Sequence, residues 1–363
     1  MVKNEEDIIE CFIRYCCLFA SRVIVLDNFS TDRTRTILQL LVNEGLPVII
    51  LEDQEPGYFQ AEKTSRLIQL AIDKYGAELI IPLDADEFLV SAQGNDSPLE
   101  ILESLCREKI YYVRWRTYIP HSDDDMSDAC IPRRINYARP VSSGDMSKVI
   151  ITSHLWKAYE LQLTFGNHDV VSRNSPQEML PKSFAAELSL AHFPVRSLDQ
   201  CKTKAFIGHI NNISRYDRFP KDSPQSTKMF CELKISRLTL DNFANYAKDY
   251  LSSLQLREEY WPIKEKELVS MNIRYTETAR NTWLQRGLEN MELLAIETQN
   301  ICRNIPPRQS CRDETEIQEK LTEKLAYLRT LQNSFSWKIT FLLRLFARLG
   351  RFLQKKYEKM MQT

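Results

Sequence analysis

The chain has 363 residues, with 48 Lys and Arg against 49 Asp and Glu, for a formal net charge of −1. Hydrophobic residues make up 43% and charged residues 27%, which excludes global disorder and accommodates one large domain with an appendage, or two domains. Without a basic excess there is no field to attract nucleic acid, so any nucleotide bound is a small ligand.

Nine cysteines are scattered, Cys16 and Cys17 are adjacent, and no C-x-x-C occurs. They read as reduced, mostly buried thiols of a reducing compartment. No run of about 20 apolar residues predicts a spanning helix. Met1–Asp7 lacks the apolar core of a signal peptide, so a cytoplasmic location is expected.

Helical patterns cover Glu5–Phe19, Thr31–Asn43 and Gln60–Lys74, and apolar β-branched runs cover Arg22–Asp27, Leu46–Leu51 and Leu79–Asp84. Continuous apolar strands between amphipathic helices predict an α/β domain with a mostly parallel, Rossmann-like sheet flanked by helices. Ligands of such sheets bind at the carboxyl ends of the strands. Here those ends carry Asp27-Asn28, Glu52-Asp53 and Asp84-Ala85-Asp86, which are expected to share one crevice.

Shorter strand-like pieces follow at Tyr111–Arg116, Lys148–Thr152 and Leu188–Phe193, separated by polar loops such as His121–Asp128. From about Leu198 to Asn300 the pattern is mainly helical, and Ile305-Pro306-Pro307 breaks it. The predicted division is a catalytic domain over 1–210, a helical extension over 211–305, and C-terminal helices over 306–363. Ile317, Leu321, Leu325, Leu328 and Leu331 suit helix pairing, including pairing with a second copy of the chain. In Trp337–Tyr357, Arg344, Arg348, Arg351 and Lys355 face away from Phe341, Leu342, Leu345, Leu349, Phe352 and Leu353. That cationic amphipathic pattern fits a helix lying on a membrane surface, or one packed on protein.

The chemistry is expected at Asp84-Ala85-Asp86-Glu87-Phe88. Alternation sends both aspartates to one side, a hard-oxygen site for Mg²⁺ or Mn²⁺ that diphosphate oxygens and water would complete. A D-x-D nucleophile of haloacid-dehalogenase type would instead end the first strand, with Thr or Val where Phe88 stands.

Lys3-Asn4-Glu5-Glu6, then Val25-Leu26-Asp27-Asn28-Phe29-Ser30-Thr31-Asp32-Arg33-Thr34, then Leu83-Asp84-Ala85-Asp86-Glu87-Phe88 resemble a family 2 glycosyltransferase of GT-A fold, in the branch whose metal motif runs D-x-D-E-F. The resemblance covers about residues 1–210 and implies inverting transfer from a nucleotide-activated sugar, with UDP favoured over GDP. It further implies that Lys3, Asn4, Glu5 and Asp27 contact base and ribose, with Asn28, Asp32, Lys63 and Asp84 also on the nucleotide-sugar side. Ser30-Thr31-Asp32 reads equally as a helix cap. Asp84, Asp86, His168 and His192 are the expected metal ligands, and Asp169 or Glu87 the general base.

Asn333-Ser334-Phe335-Ser336-Trp337-Lys338-Ile339-Thr340 resembles a tail of bacterial surface-polysaccharide glycosyltransferases. It implies a peripheral enzyme at the inner face of the plasma membrane, acting on a glycan or lipid-linked acceptor. Members of the family begin with a full strand before the first motif, whereas here only Met1-Val2 precede it. The alternative is therefore a catalytically silent scaffold that oligomerises through its C-terminal helices. A nucleotidyltransferase is disfavoured, because Asp27–Arg33 contains no glycine for a phosphate loop.

Overall fold

A computed structural model describes residues 1–53, 59–94, 97–139, 146–175, 179–213, 224–234, 263–265, 271–277 and 283–304. The chain divides into two compact units, Met1–Asn300 and Ile301–Thr363. The expected coiled-coil and membrane-surface helices of 306–363 lie outside the described residues.

The first unit opens with α1 (Ile9–Cys16), β1 (Val23–Asp27), α2 (Thr34–Asn43), β2 (Val48–Glu52), α3 (Gln60–Tyr75), β3 (Leu79–Ile80) and β4 (Glu87–Ser91). It continues through α4 (Pro98–Ser104), β5 (Ile110–Ile119), α5 (Ile131–Arg134), β6 (Tyr137–Ala138), β7 (Ser147–Thr152) and α6 (Ser153–Ala158). Then follow the β8–β9 hairpin (Leu161–Leu163, Val170–Ser172), β10 (Lys182–His192), α7 (Leu198–Ile213), α8 (Pro224–Lys234), β11 (Ile263–Lys264) and α9 (Trp283–Asn304), the last four residues of which belong to the second unit.

The architecture is α/β, with a mixed, curled sheet and flanking helices. β1 and β2 pair in parallel, Asp27 opposite Glu52. Val2 bridges the other edge of β1, donating to the Leu26 carbonyl at 2.8 Å and accepting from Asn28 N–H at 2.9 Å. Val2 thus adds a single parallel bridge to that edge.

The larger sheet departs from the expected parallel order. β5 pairs in parallel with β10, but β10–β4, β5–β7, β5–β6 and β3–β7 are all antiparallel. Part of the difference lies in the third apolar run. Only Leu79–Ile80 of it is strand, because Pro82 has no N–H to give a ladder, and that short piece pairs antiparallel with β7. Asp84-Ala85-Asp86 consequently forms a turn into β4 rather than the end of a strand.

Phe88, fully buried, packs edge-on against Phe12 (5.9 Å) and Phe193 (5.6 Å). Period-2 alternation sends its neighbour Glu87 to the opposite face. The aromatic cluster, worth about 2–3 kcal/mol per buried ring, anchors the acidic turn from behind.

The thiols of Cys11, Cys16, Cys17, Cys106, Cys130, Cys201 and Cys231 are all free. Among the described residues no helix is long and apolar enough to cross a membrane.

Candidate functional site

The first two motifs are joined by reciprocal hydrogen bonds. Ser30 Oγ accepts from Asn4 N–H (3.0 Å), Asn4 Oδ1 from Thr31 N–H (2.8 Å), Thr34 Oγ1 from Glu5 N–H (2.8 Å), and Glu6 from Arg33 N–H (2.9 Å). Asn4 and Phe29 adopt positive φ, 57° and 58°, to bring the two loops together. Asp32 accepts from Glu6 N–H (3.1 Å) and Thr34 N–H (2.9 Å) just ahead of α2, whose N-cap Arg33 makes no side-chain cap, while Ser30 serves the loop clamp. Burial raises the Asp32 carboxyl to about 6.

Asp27 closes β1 and accepts from Ser30 N–H at 3.2 Å. Asn28 donates to Asp53 (2.8 Å), and Asp53 also receives Lys63 at 2.5 Å. Lys63 is 5% exposed and belongs to this network rather than to a solvated helix face. Lys3 Nζ is buried without a hydrogen-bond partner, and burial lowers its pKa to about 8 against the pull of Asp27. Lys3, Asp27, Asn28, Asp53 and Lys63 thus gather at the carboxyl ends of β1 and β2, a donor–acceptor set suited to ribose hydroxyls and a base edge.

The first turn of α3 links this cluster to the acidic turn. Gln60, three residues before Lys63 and on the same face, donates to Asp84 at 3.0 Å. Asp84 also receives Lys148 from β7 at 2.7 Å; Lys148 lies 3.4 Å from Glu87 and donates to the Gly166 carbonyl at 2.7 Å. Lys148 is 1% exposed. Burial pushes the fully enclosed Glu87 carboxyl up to about 8, in spite of Lys148. Glu87 is thus shut away from solvent and holds its proton more firmly than an ordinary carboxyl.

Asp86 faces a different set of charges. Its Oδ2 lies 3.2 Å from Lys204 Nζ and 3.6 Å from Arg196, with His192 Nε2 at 4.0 Å. The Asp86 carbonyl accepts from Phe193 N–H at 2.8 Å, which docks the end of β10 on the turn. Burial opposes ionisation of Asp86, yet the surrounding cations, Lys204 foremost, hold its carboxyl well below the usual range. Arg196 is 1% exposed, reaches Asp7 at 2.8 Å and pairs with Glu5. The first motif is thereby coupled to Asp86 through one guanidinium.

Burial lowers His192 to about 3, so its imidazole is neutral at pH 7. It stacks on Trp115 at 4.1 Å, and His168 meets the same indole edge-on at 5.2 Å. His168 Nδ1 is hydrogen-bonded to the Ser147 carbonyl (2.8 Å), held there by the turn at Gly166 (φ 75°), where a Cβ would lie 2.4 Å from the imidazole. Asp169 lies on the hairpin side, accepting from Tyr112, Lys182 (2.7 Å) and Val170 N–H (2.6 Å). Burial works against its ionisation, but those donors keep its pKa low.

The four expected metal ligands are not assembled around one point. Among the described residues no three His, Cys, Asp or Glu side chains group as an ion site. Asp84 is engaged by Lys148 and Gln60, and His168 by Ser147. Asp86, engaged in turn by Lys204 at 3.2 Å and Arg196 at 3.6 Å, offers a single carboxylate, and an ion of the Mg²⁺ kind takes one or two carboxylates and fills its shell with phosphate oxygens and water.

Three cations that sequence reasoning missed dominate this geometry. Lys148 had a readable signal, a charge beside the apolar run Val149–Ile151 in an interior strand. Arg196 stands next to Phe193-Pro194-Val195, and Lys204 has no distinguishing context in its helix. No protein-family model matches the chain, and no curated protein matches it.

Proposed function

We propose that the chain is an inverting glycosyltransferase of GT-A type that moves a sugar from a nucleoside-diphosphate donor, UDP in preference to GDP, to a glycan or lipid-linked acceptor. The observation that carries the reading is the mutual contact of three motif segments far apart in sequence. Lys3–Glu6 is zipped to Asn28–Thr34, and Glu5 reaches Asp86 through Arg196. The nucleoside lies against Lys3, Asn4, Glu5, Asp27 and Asn28, with Lys63 and Asp53 beneath, and the diphosphate lies at Asp86.

Asp86 would hold Mn²⁺ or Mg²⁺, which when bound neutralises the diphosphate as a Lewis acid. Asp84 orients Gln60 and Lys148 behind it. Of the two carboxylates expected as base, Asp169 is the more accessible, with 44% of its side chain exposed where Glu87 is fully buried. Action at the cytoplasmic membrane face through 337–357 belongs to the same proposal.

The neutralisation of Asp84 by a built-in lysine favours a second reading, a silent scaffold that keeps the fold and oligomerises through its C-terminal helices. Incubation with UDP- and GDP-sugars and Mn²⁺ separates the two. The enzyme releases free nucleoside diphosphate, and Asp86→Asn abolishes the release. A folded chain that releases none from any donor supports the scaffold.

A further inference from the structure

We propose that Cys11 and Cys130 are a redox-active pair that closes into a reversible disulfide, whatever reaction the chain carries out. Cys11 lies on α1, and Cys130 stands immediately ahead of α5, 119 residues later. Their sulfurs are 3.6 Å apart, with Cys11 2% exposed and Cys130 fully buried. Sulfurs at that distance are in contact, and a bond of about 2.05 Å needs each to move by only about 0.8 Å.

The two sulfurs are not equivalent. The hydrogen bond from Cys11 brings the Cys130 thiol down to about 7, against burial, and the N–H groups of Met271 and Arg133 add to the effect. The same bond, together with burial, pushes the Cys11 thiol up. By contrast, burial raises the Cys201 thiol to about 12. Cys130 is also the sulfur nearer solvent along the chain, since His121–Asp123 and Asp125–Ser127 just ahead of it are exposed. Thiolate character and access make Cys130 the first to react and Cys11 the thiol that resolves it.

The oxidant class is a hydroperoxide. The Cys130 thiolate attacks one oxygen of hydrogen peroxide, the O–O bond breaks, and the hydroxide that leaves takes up the proton Cys130 had released. The Cys11 sulfur then displaces the hydroxyl of the sulfenic acid, which departs as water with the Cys11 proton. Two thiols thus lose two electrons and two protons, and one hydrogen peroxide becomes two waters. A dithiol reductant reverses the bond by thiol–disulfide exchange. The bond joins the two supports of Arg196. Asp7, just ahead of α1, accepts from its guanidinium at 2.8 Å, and Arg134 of α5 donates to its backbone carbonyl at 3.1 Å. Oxidation therefore clips α1 to α5 behind the guanidinium that stands 3.6 Å from Asp86.

The test takes the full chain at pH 7, reduced and then exposed to hydrogen peroxide, with remaining thiols alkylated before digestion and mass analysis. A peptide linking Cys11 to Cys130 should form and should disappear with dithiothreitol. The oxidised chain should melt about 5 °C above the reduced one, because the bond closes a long loop. Cys11→Ala should leave Cys130 as a sulfenic acid that dimedone traps, whereas in Cys130→Ala the Cys11 thiol should stay reduced. If either variant does not fold, the wild-type peptide map decides alone. Oxidation confined to the exposed Cys106 and Cys231, with Cys11 and Cys130 still alkylated as thiols, overturns the proposal. Linkage of either cysteine to a different partner overturns it as well. A Cys11–Cys130 bond with no rise in melting temperature supports the pair and overturns the clip.

Discussion

Replacing Lys148 by Met removes a buried ammonium from between two carboxylates and keeps the volume of its stem. At 2.7 Å from Asp84, the gross attraction is about 6 kcal/mol for an effective dielectric near 20. Desolvation of the ammonium offsets much of that in the folded state, and breaking a buried pair costs about 3–5 kcal/mol net. Two features place this case at the lower end. Asp84 keeps 32% of its side chain in solvent, so its freed carboxylate can hydrate, and Glu87 is already neutral below about pH 8. The Gly166 carbonyl, however, also loses its donor. The expected destabilisation is therefore about 3 kcal/mol, read from the urea midpoint at pH 7 with an unchanged slope. Adding Asp84→Asn to Lys148→Met should recover part of the loss, because the unpaired charge leaves with it. A loss below about 0.5 kcal/mol for the single variant, or strictly additive losses in the double variant, would refute the buried-charge account.

The remaining expectations concern two buried glutamates. Glu87 has a folded pKa raised from 4.5 to about 8, so its contribution to stability is full below pH 4.5 and is lost as pH rises towards 8. Glu87→Gln should flatten the stability–pH profile across that window, by at most about 1.4 kcal/mol per pH unit, the ceiling for one proton; parallel profiles would count against it. Glu10, fully buried on α1, accepts from the N–H groups of Arg274, Tyr275 and Thr276, each at 2.8 Å, and so ties 271–277 to the helix. Burial works against its ionisation, but those donors lower its pKa, so its contribution is present above pH 4.5 and is lost as pH falls through the folded value. Glu10→Gln should cost about 2–4 kcal/mol and speed hydrogen exchange at those three amides; unchanged exchange there would contradict the anchoring role.

Much of the first half of the fold was legible because its signals are local. The patterns over Thr31–Asn43 and Gln60–Lys74 correspond to α2 (Thr34–Asn43) and α3 (Gln60–Tyr75), and Arg22–Asp27 to β1 (Val23–Asp27). Strand direction was not legible. An apolar run such as Leu79–Asp84 states that both faces are buried, and says nothing about which partner lies alongside; here β7, some 70 residues later, runs antiparallel. The carboxylates were visible as strand-end clusters, but their partners were not. Lys148, Arg196 and Lys204 lie roughly 60 to 120 residues from Asp84 and Asp86, and only the fold brings them there. Those cations divide the aspartates, Asp84 to Lys148 and Asp86 to Lys204 and Arg196, where spacing alone suggested a matched pair.

The central claim is that Asp86 marks a diphosphate site. Titration of UDP and GDP into wild type, Asp86→Ala and Asp84→Ala, first with Mn²⁺ and then with EDTA, tests it most directly. Tight UDP binding that falls both on chelation and in Asp86→Ala, with a smaller loss in Asp84→Ala, is the predicted result. A folded wild-type chain that binds neither nucleotide, or binds UDP equally well without Asp86, would contradict it.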